Sequence, residues 1–433
     1  MRDMEAKHHK VFYGWWIVAA GFFIAVYIGG FIHFGFTAVF EPIRSIFGWS
    51  YAQISFAASL RGLQMSLFAP IVGLLMDRWG PRRLVFAGAI IIGLGLLLLS
   101  SINSLATFYG AFILIAIGIS TCIGVVPIAT VGNWFQRKAT LATGILVSGN
   151  AVGGLLVPLA TRLIDIFKWQ KAMVILGFGA WGILLPLSLL FRHKPEQYGY
   201  LPDGDLHRKP PASEGQSSAQ GNKLDIGVKQ VLKSSTFWHI AIGFMCHILV
   251  MNAVITHVMP YLNSIGLTRS LASLMASAIP LTSVAGRIGF GWLGDKFDKR
   301  RIAALGFVLA SLGLLSFGYV ATAGAWLLAP SLVIIGLGYG GPVPMMPALV
   351  REYFGRVKLA TVLGLVMGVA ALGSMVGPPL AGLAFDRLGS YQVAWFGLAG
   401  LVIAGMVSLL TTPQLAVKYK SVNGNIENTQ SSR

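Results

Sequence analysis

The chain has 433 residues, 55% of them hydrophobic and only 11% charged, with a mean hydropathy of +0.72. That composition excludes a soluble domain with an ordinary polar surface and specifies a polytopic membrane protein. The formal net charge of +18 would suggest nucleic acid in a soluble protein, but here the basic residues follow the loops of a membrane topology, and no nucleic-acid partner is expected.

Apolar runs long enough to cross a bilayer at about 20 residues each fall at 12–40, 51–76, 84–104, 107–131, 140–164, 172–191, 237–262, 270–293, 302–321, 325–348, 359–384 and 393–411. The first is too long, and too polar and bulky at its end, for a cleaved signal peptide. With the two ends and every even-to-odd loop assigned to the inside, those segments carry 25 of the 33 Lys and Arg. The positive-inside rule therefore places both termini in the cytoplasm. Cys122 and Cys246 lie in apolar spans with no metal-site spacing and read as small buried residues. No cofactor or metal is expected.

Six spans precede and six follow a polar stretch with Pro210-Pro211 and Ser213-Glu-Gly-Gln-Ser-Ser, which cannot bury a core and reads as a flexible connector. The expected order is a cytoplasmic N-terminus (1–11), a six-helix half (12–191), a cytoplasmic linker (192–236), a second six-helix half (237–411) and a cytoplasmic tail (412–433). The halves repeat. Gly73-Leu-Leu-Met-Asp77-Arg78-Trp-Gly80-Pro-Arg82-Arg83 matches Gly291-Trp-Leu-Gly-Asp295-Lys296-Phe-Asp298-Lys-Arg300-Arg301 at an offset of 218 residues. A second pair, Trp134-Phe135 to Gly144 and Tyr353-Phe354 to Gly364, keeps nearly the same register. Parallel duplication of six-helix halves is a transporter architecture whose substrate site lies between the halves. An aspartate at a helix end followed by arginines can hold a neighbouring helix end in one conformation and release it in another. Asp77, Arg78, Arg82, Arg83, Asp295, Arg300 and Arg301 are therefore the candidate gate.

Arg287 stands alone in span eight, between Leu271 and Trp292. An arginine cannot deprotonate there, and its insertion at bilayer depth costs roughly 2.5–3.5 kcal/mol, so it should face an internal cavity and an anion. In span seven Asn252 and Thr256 share a helix face, with His257 one position round. His257 either lines the cavity or bonds a backbone carbonyl between helices. Arg61, the other in-span arginine, either attracts anions or braces helix contacts. No Asp or Glu lies mid-span, so a coupled proton must ride on a histidine or with the substrate. Asn150 and Ser374 are further candidates for the interior, and Thr121 and Tyr339 occupy related positions in the two halves. No nucleophile and base constellation, metal cluster or phosphate loop supports an enzyme.

The Gly-x-x-x-Asp-Arg-x-Gly-x-Arg-Arg loop, the twelve spans and the repeat resemble the major facilitator superfamily from about residue 12 to 411. The fold class expected is all-α, twelve transmembrane helices in two six-helix halves. Tyr13-Gly14-Trp15-Trp16, Phe47-Gly48-Trp49-Ser50, Asn133-Trp134-Phe135 and the span-eight arginine are similar to the monocarboxylate transporter branch and its sister, the oxalate/formate antiporters. The resemblance implies that Arg287 binds the substrate carboxylate. Animal members carry an aspartate where this chain has Ser283 and a lysine near Phe34-Gly35-Phe36; oxalate exchangers need a span-eleven lysine, absent from 362–374. These patterns resemble bacterial lactate/pyruvate carriers. The expectation is a monomeric, multi-pass protein of the plasma (inner) membrane that moves small monocarboxylates, with H+, by alternating access. His257, Asn252, Tyr339, Ser283 and Arg61 would shape the site and His257 would carry the proton. Organic-anion antiport, or export of another small molecule, is the rival.

Overall fold

The computed structural model describes residues 12–49, 53, 67–204, 228–356, 358–388 and 390–413. Among these every regular element is helical, the arrangement that lets a backbone satisfy its own hydrogen bonds where no water reaches. Nine helical stretches of the described residues are long and apolar enough to cross a membrane; one of them, Ala139–Ser188, holds two expected spans joined at Lys168, whose φ of 64° turns the chain.

Span one comprises α1 (Tyr13–Tyr27), a π-helical stretch (Ile28–Phe34) and α2 (Phe36–Phe47). Span two is α3, described over 67–79, and span three is α4 (Pro81–Ser100). Span four divides into α5 (Leu105–Cys122) and α6 (Val125–Trp134). Spans five and six are α7 (Ala139–Gly153) and α8 (Val157–Ser188). After the linker, which includes α9 (Val228–Lys233), come α10 (Ser235–Ser264), α11 (Arg269–Ala276) and α12 (Ala278–Lys296). The chain continues through α13 (Lys299–Gly318), a single turn α14 (Val320–Ala323), α15 (Leu328–Gly340) and α16 (Met345–Phe354). It closes with α17 (Leu359–Leu388) and α18 (Tyr391–Leu410).

The duplication survives in three dimensions. Span four breaks at Ile123-Gly124 and span ten between Gly340 and Met345, in the same register, and both breaks lie at Gly- and Pro-rich sequence that cannot keep an unbroken hydrogen-bond ladder. The point where the two gate motifs differ is also explained. Gly80 takes φ 77° and hands over to Pro81 at the first turn of α4, whereas Asp298 caps α13 by accepting from the Arg300 and Arg301 amides at 2.8 and 3.2 Å. Each residue starts the helix by a different standard device.

The first linker residues depart from the expected free connector. Residues 192–204 lie on the first half, held by ring contacts and an aspartate described below, because Tyr198, Tyr200 and Asp203 supply partners that the polar stretch after them lacks.

Within each half the helices pack pairwise: α1 on α7 and α4 on α5 and α8; α10 on α17 and α18, and α13 on α15 and α18. Between halves, α7 packs on α12, and α6 on α16 and α17. Glycines make that seam. A Cβ at Gly73 would overlap the Ala360 carbonyl, one at Gly364 the Ala69 carbonyl, and one at Gly144 the Arg287 carbonyl; one at Gly291 would come within 2.9 Å of the Thr140 carbonyl. The backbones of α3 and α17, and of α7 and α12, thus touch directly, as small residues permit. This closed seam lies toward the membrane face that carries the linker. Gly73→Val should leave the protein in the membrane at near parental amounts but cut substrate flux at least tenfold, because the linker face cannot close; flux measured in proteoliposomes against reconstituted protein checks it.

Candidate functional site

Arg287 lies eight residues before Asp295 on α12, roughly 12 Å along the helix from the linker face at 1.5 Å per residue. It is 5% exposed. Nη1 donates to the Val147 carbonyl of α7, in the opposite half, at 2.6 Å. Cζ stands 5.6 Å from the centre of the Tyr339 ring, within cation–π range. Nε has no partner, and among the described residues no carboxylate pairs with the guanidinium. A desolvated cation with an unused donor has the chemistry to pair with an anion.

Ser283, one turn before Arg287, is fully buried and its hydroxyl donates to Pro280 O at 2.7 Å. Tyr339 sits at the end of α15, just before the break in span ten; its neighbour Gly338 offers its carbonyl to His247 Nε2 at 3.0 Å, and the His247 ring stacks on Phe307. The structure thus brings Arg287, Ser283 and Tyr339 together from α12 and α15. Asn150, one turn beyond Val147 on α7, has a buried Oδ1 without a partner. Thr121 and Ser374 bond carbonyls of their own helices.

Span seven is more dispersed. Asn252 is half-buried, with Nδ2 donating to Ile248 O at 2.9 Å. His257 lies ten residues, about 15 Å, further along α10 than His247. Its ring bridges three helices of the second half, Nε2 to Pro378 O of α17 at 2.9 Å and Nδ1 to the Tyr391 hydroxyl of α18 at 3.1 Å. It is therefore not beside Arg287. Arg61 falls outside the described residues.

The two candidate gate aspartates meet helix ends of the opposite half. The Asp77 carboxylate of α3 accepts from the Thr361 amide at 3.1 Å and the Thr361 hydroxyl at 2.5 Å, capping the N-terminus of α17 in the other half. Asp295 of α12 accepts from the Thr140 and Leu141 amides at 2.8 and 2.9 Å, capping α7 reciprocally. A helix N-terminus leaves four amides unpaired and carries partial positive charge, so an acid there is doubly favoured. Burial pushes both carboxyls above the ordinary range, against the pull of these same bonds.

The arginines of the two motifs take no part in crossing between the halves. Arg78, Arg82, Arg83 and Arg301 are exposed, and Arg300 pairs with Asp298 on its own loop at 3.5 Å. At the linker face Arg351 and Arg356 cross instead, donating to the carbonyls of Phe135 and Asn133 at the C-terminus of α6. These cap the negative end of a helix. Burial, then the nearby Arg356 charge, pushes the Arg351 guanidinium down to about 10, against the pull of Asp203 and Asp295. The sequence signal was the second repeat, in which Arg356 matches Arg137.

A family model described as Major Facilitator Superfamily matches residues 16–279 and 258–427. The chain belongs to the major facilitator superfamily. Among curated proteins it is similar to monocarboxylate transporter 12 of Rattus norvegicus, 26% identical over 428 residues that cover 94% of this chain and 87% of that protein. It is similar also to monocarboxylate transporter 2 of Homo sapiens, 26% identical over 422 residues covering 92% and 85%. Both relatives are monocarboxylate transporters by name. The solved E. coli fucose:proton symporter aligns with a TM-score of 0.71 at 14% identity, covering 93% of this chain and 99% of that one. The human organic anion transporter TETRAN aligns with 0.71 at 13%, covering 92% and 99%. At these identities the likeness is one of fold. The protein is a multi-pass membrane transporter, not an enzyme.

Replacing a carboxylate held at a helix N-terminus by its amide removes the charge–dipole and charge-assisted share of the contact, on the order of 1 kcal/mol. Asp77→Asn and Asp295→Asn should each shift the transporter away from the state closed at the linker face by roughly fivefold, with little change in substrate affinity of a fixed state. Spin-label distances between α3 and α17 at the linker face measure the shift.

Proposed function

We propose that the transporter carries small monocarboxylates of the lactate and pyruvate kind by alternating access, in symport with H+. One observation carries the reading: Arg287, buried between the halves, has no carboxylate partner among the described residues and keeps Nε unused. A single fixed cation suits a single carboxylate, and the guanidinium fork binds one bidentately where a lysine cannot. Ser283 and Tyr339 flank the anion, and Asn252 borders the path on α10. The face closed by Asp77 and Asp295 is the cytoplasmic one, as the placement of basic residues supports, and the protein works as a monomer in the plasma (inner) membrane. Arg287→Lys and Arg287→Ala should each abolish uptake of labelled lactate in proteoliposomes while folded protein remains; near-parental uptake by Arg287→Ala would remove the site.

His257 is the proton site of this proposal. The Pro378 carbonyl accepts from Nε2–H in either state, and the Tyr391 hydroxyl donates to a bare Nδ1 or accepts from a protonated one, so the ring holds one proton or two without losing a contact. His257→Gln should blunt uptake driven by an inward proton gradient while exchange of labelled for unlabelled substrate persists. Both assays run on one reconstituted variant decide it. If neither changes, the proton travels with the substrate. If a gradient drives nothing even in the parent, organic-anion exchange replaces symport.

A further inference from the structure

Beyond span six the chain folds back over the linker face through two short 3-10 turns, Pro195–Tyr198 and Pro202–Gly204. The Arg192 guanidinium lies over the rings of Tyr13 and Tyr198 at 3.9 and 4.5 Å, and Tyr200 packs against Trp134. Asp203 anchors the far end. Its backbone takes φ 64°, a left-handed conformation that few residues with a side chain adopt. Its carboxylate accepts from the Gln136 amide at 3.0 Å and the Arg137 amide at 3.0 Å, with Arg137 Nε at 3.8 Å. The Asp203 side chain is only 10% exposed. The amides it holds stand just ahead of Thr140 and Leu141, which Asp295 holds from the other half. The six residues 136–141, at the start of α7, are therefore gripped by the linker at one end and by the second half at the other.

The same segment also reaches across. Glu196 Oε1 lies 3.5 Å from Arg356 Nη2, the nitrogen that donates to the Asn133 carbonyl. Arg356 belongs to the second half, Glu196 and Asn133 to the first.

We propose that residues 192–204 form a strap that favours the state closed at the linker face: Asp203 pins the strap to the first half, and Glu196 hooks it to Arg356 of the second. Opening the linker face must part Glu196 from Arg356, while Asp203 stays with its own half. Anchor and hook act in series, since a hook on a loose strap holds nothing. The inference rests on alternating access and not on the substrate.

The test uses the full chain with Cys122→Ala, Cys246→Ala and Ala348→Cys. Ala348 is 8% exposed and lines a small cavity behind the gate with Thr143, Arg351 and Leu359, so a thiol there reports opening. A membrane-impermeant maleimide is applied to vesicles oriented with the linker face outward, and the alkylation rate is read. Glu196→Gln is a half-exposed change that leaves folding intact; a surface pair of this kind supports an increase of about threefold. Asp203→Gly keeps the positive φ and removes the carboxylate; the hook is lost with its anchor, so the rate should rise by about the same threefold. The double variant should match the larger single effect, because the two act in series. Asp77→Asn is the reference for an opened gate. If Asp77→Asn speeds labelling and both strap variants stay at the parental rate, the strap is wrong and alternating access stands. If the double variant shows the product of the two effects, the series arrangement is wrong and the proposal falls. If none of the three variants speeds labelling, alternating access fails and the strap with it.

Discussion

A charge that cannot be discarded, placed where water is scarce, sets the terms for the rest of this molecule. Arg287 must keep its proton, and no carboxylate of the described residues meets it. What it has is the Val147 carbonyl from the opposite half and the face of Tyr339. To reach that carbonyl, α7 and α12 must approach backbone to backbone, which is why Gly144 lies against the Arg287 carbonyl and Gly291 near that of Thr140. Tyr339 must in turn be presented by α15, and Gly340 against the Ser283 backbone brings α15 close to α12. The glycine seam and the broken span ten go with surrounding one cation by weak, polarisable partners, with Nε left unpartnered.

The linker face solves a different problem with the same economy. Helices ending at a membrane surface expose unpaired amides at one end and carbonyls at the other. Here each half supplies the missing partners for the other: Asp77 and Asp295 meet N-termini, Arg351 and Arg356 meet a C-terminus. The acidic contacts obey the internal duplication. The basic ones do not, because Arg137, the repeat mate of Arg356, lies beside Asp203 of the linker. The linker occurs once and so breaks the symmetry.

Much of this was legible beforehand, and the reason is physical. Span lengths, the basic loops and the 218-residue repeat are set by the bilayer and by duplication, both of which write directly into residue order. Arg287 stood out because a lone guanidinium among apolar residues has few explanations. That Asp77 and Asp295 hold neighbouring helix ends was readable from their place at the ends of their own helices. The motif arginines drew attention by density, yet density at a surface serves topology as readily as contact, and Arg78, Arg82 and Arg83 remain exposed. Arg351 and Arg356 were hidden because their partners are carbonyls, which have no residue type. For His257 the sequence left two settings open. The ring joins α10 to α17 and α18, a three-helix junction that no spacing within one helix can reveal.

That facelessness of the partners reaches further. Thr140 and Leu141 offer Asp295 their amides, Phe135 and Asn133 offer the two arginines their carbonyls, and Gln136 and Arg137 offer Asp203 their amides. Nearly any amino acid at the receiving position would serve, proline aside where an amide is needed. Substitutions there can drift without breaking the contact, and none can compensate for losing the acid or the guanidinium opposite. Pairwise covariation between homologues would accordingly pass over this closure, since each contact has one variable partner and one that carries no information.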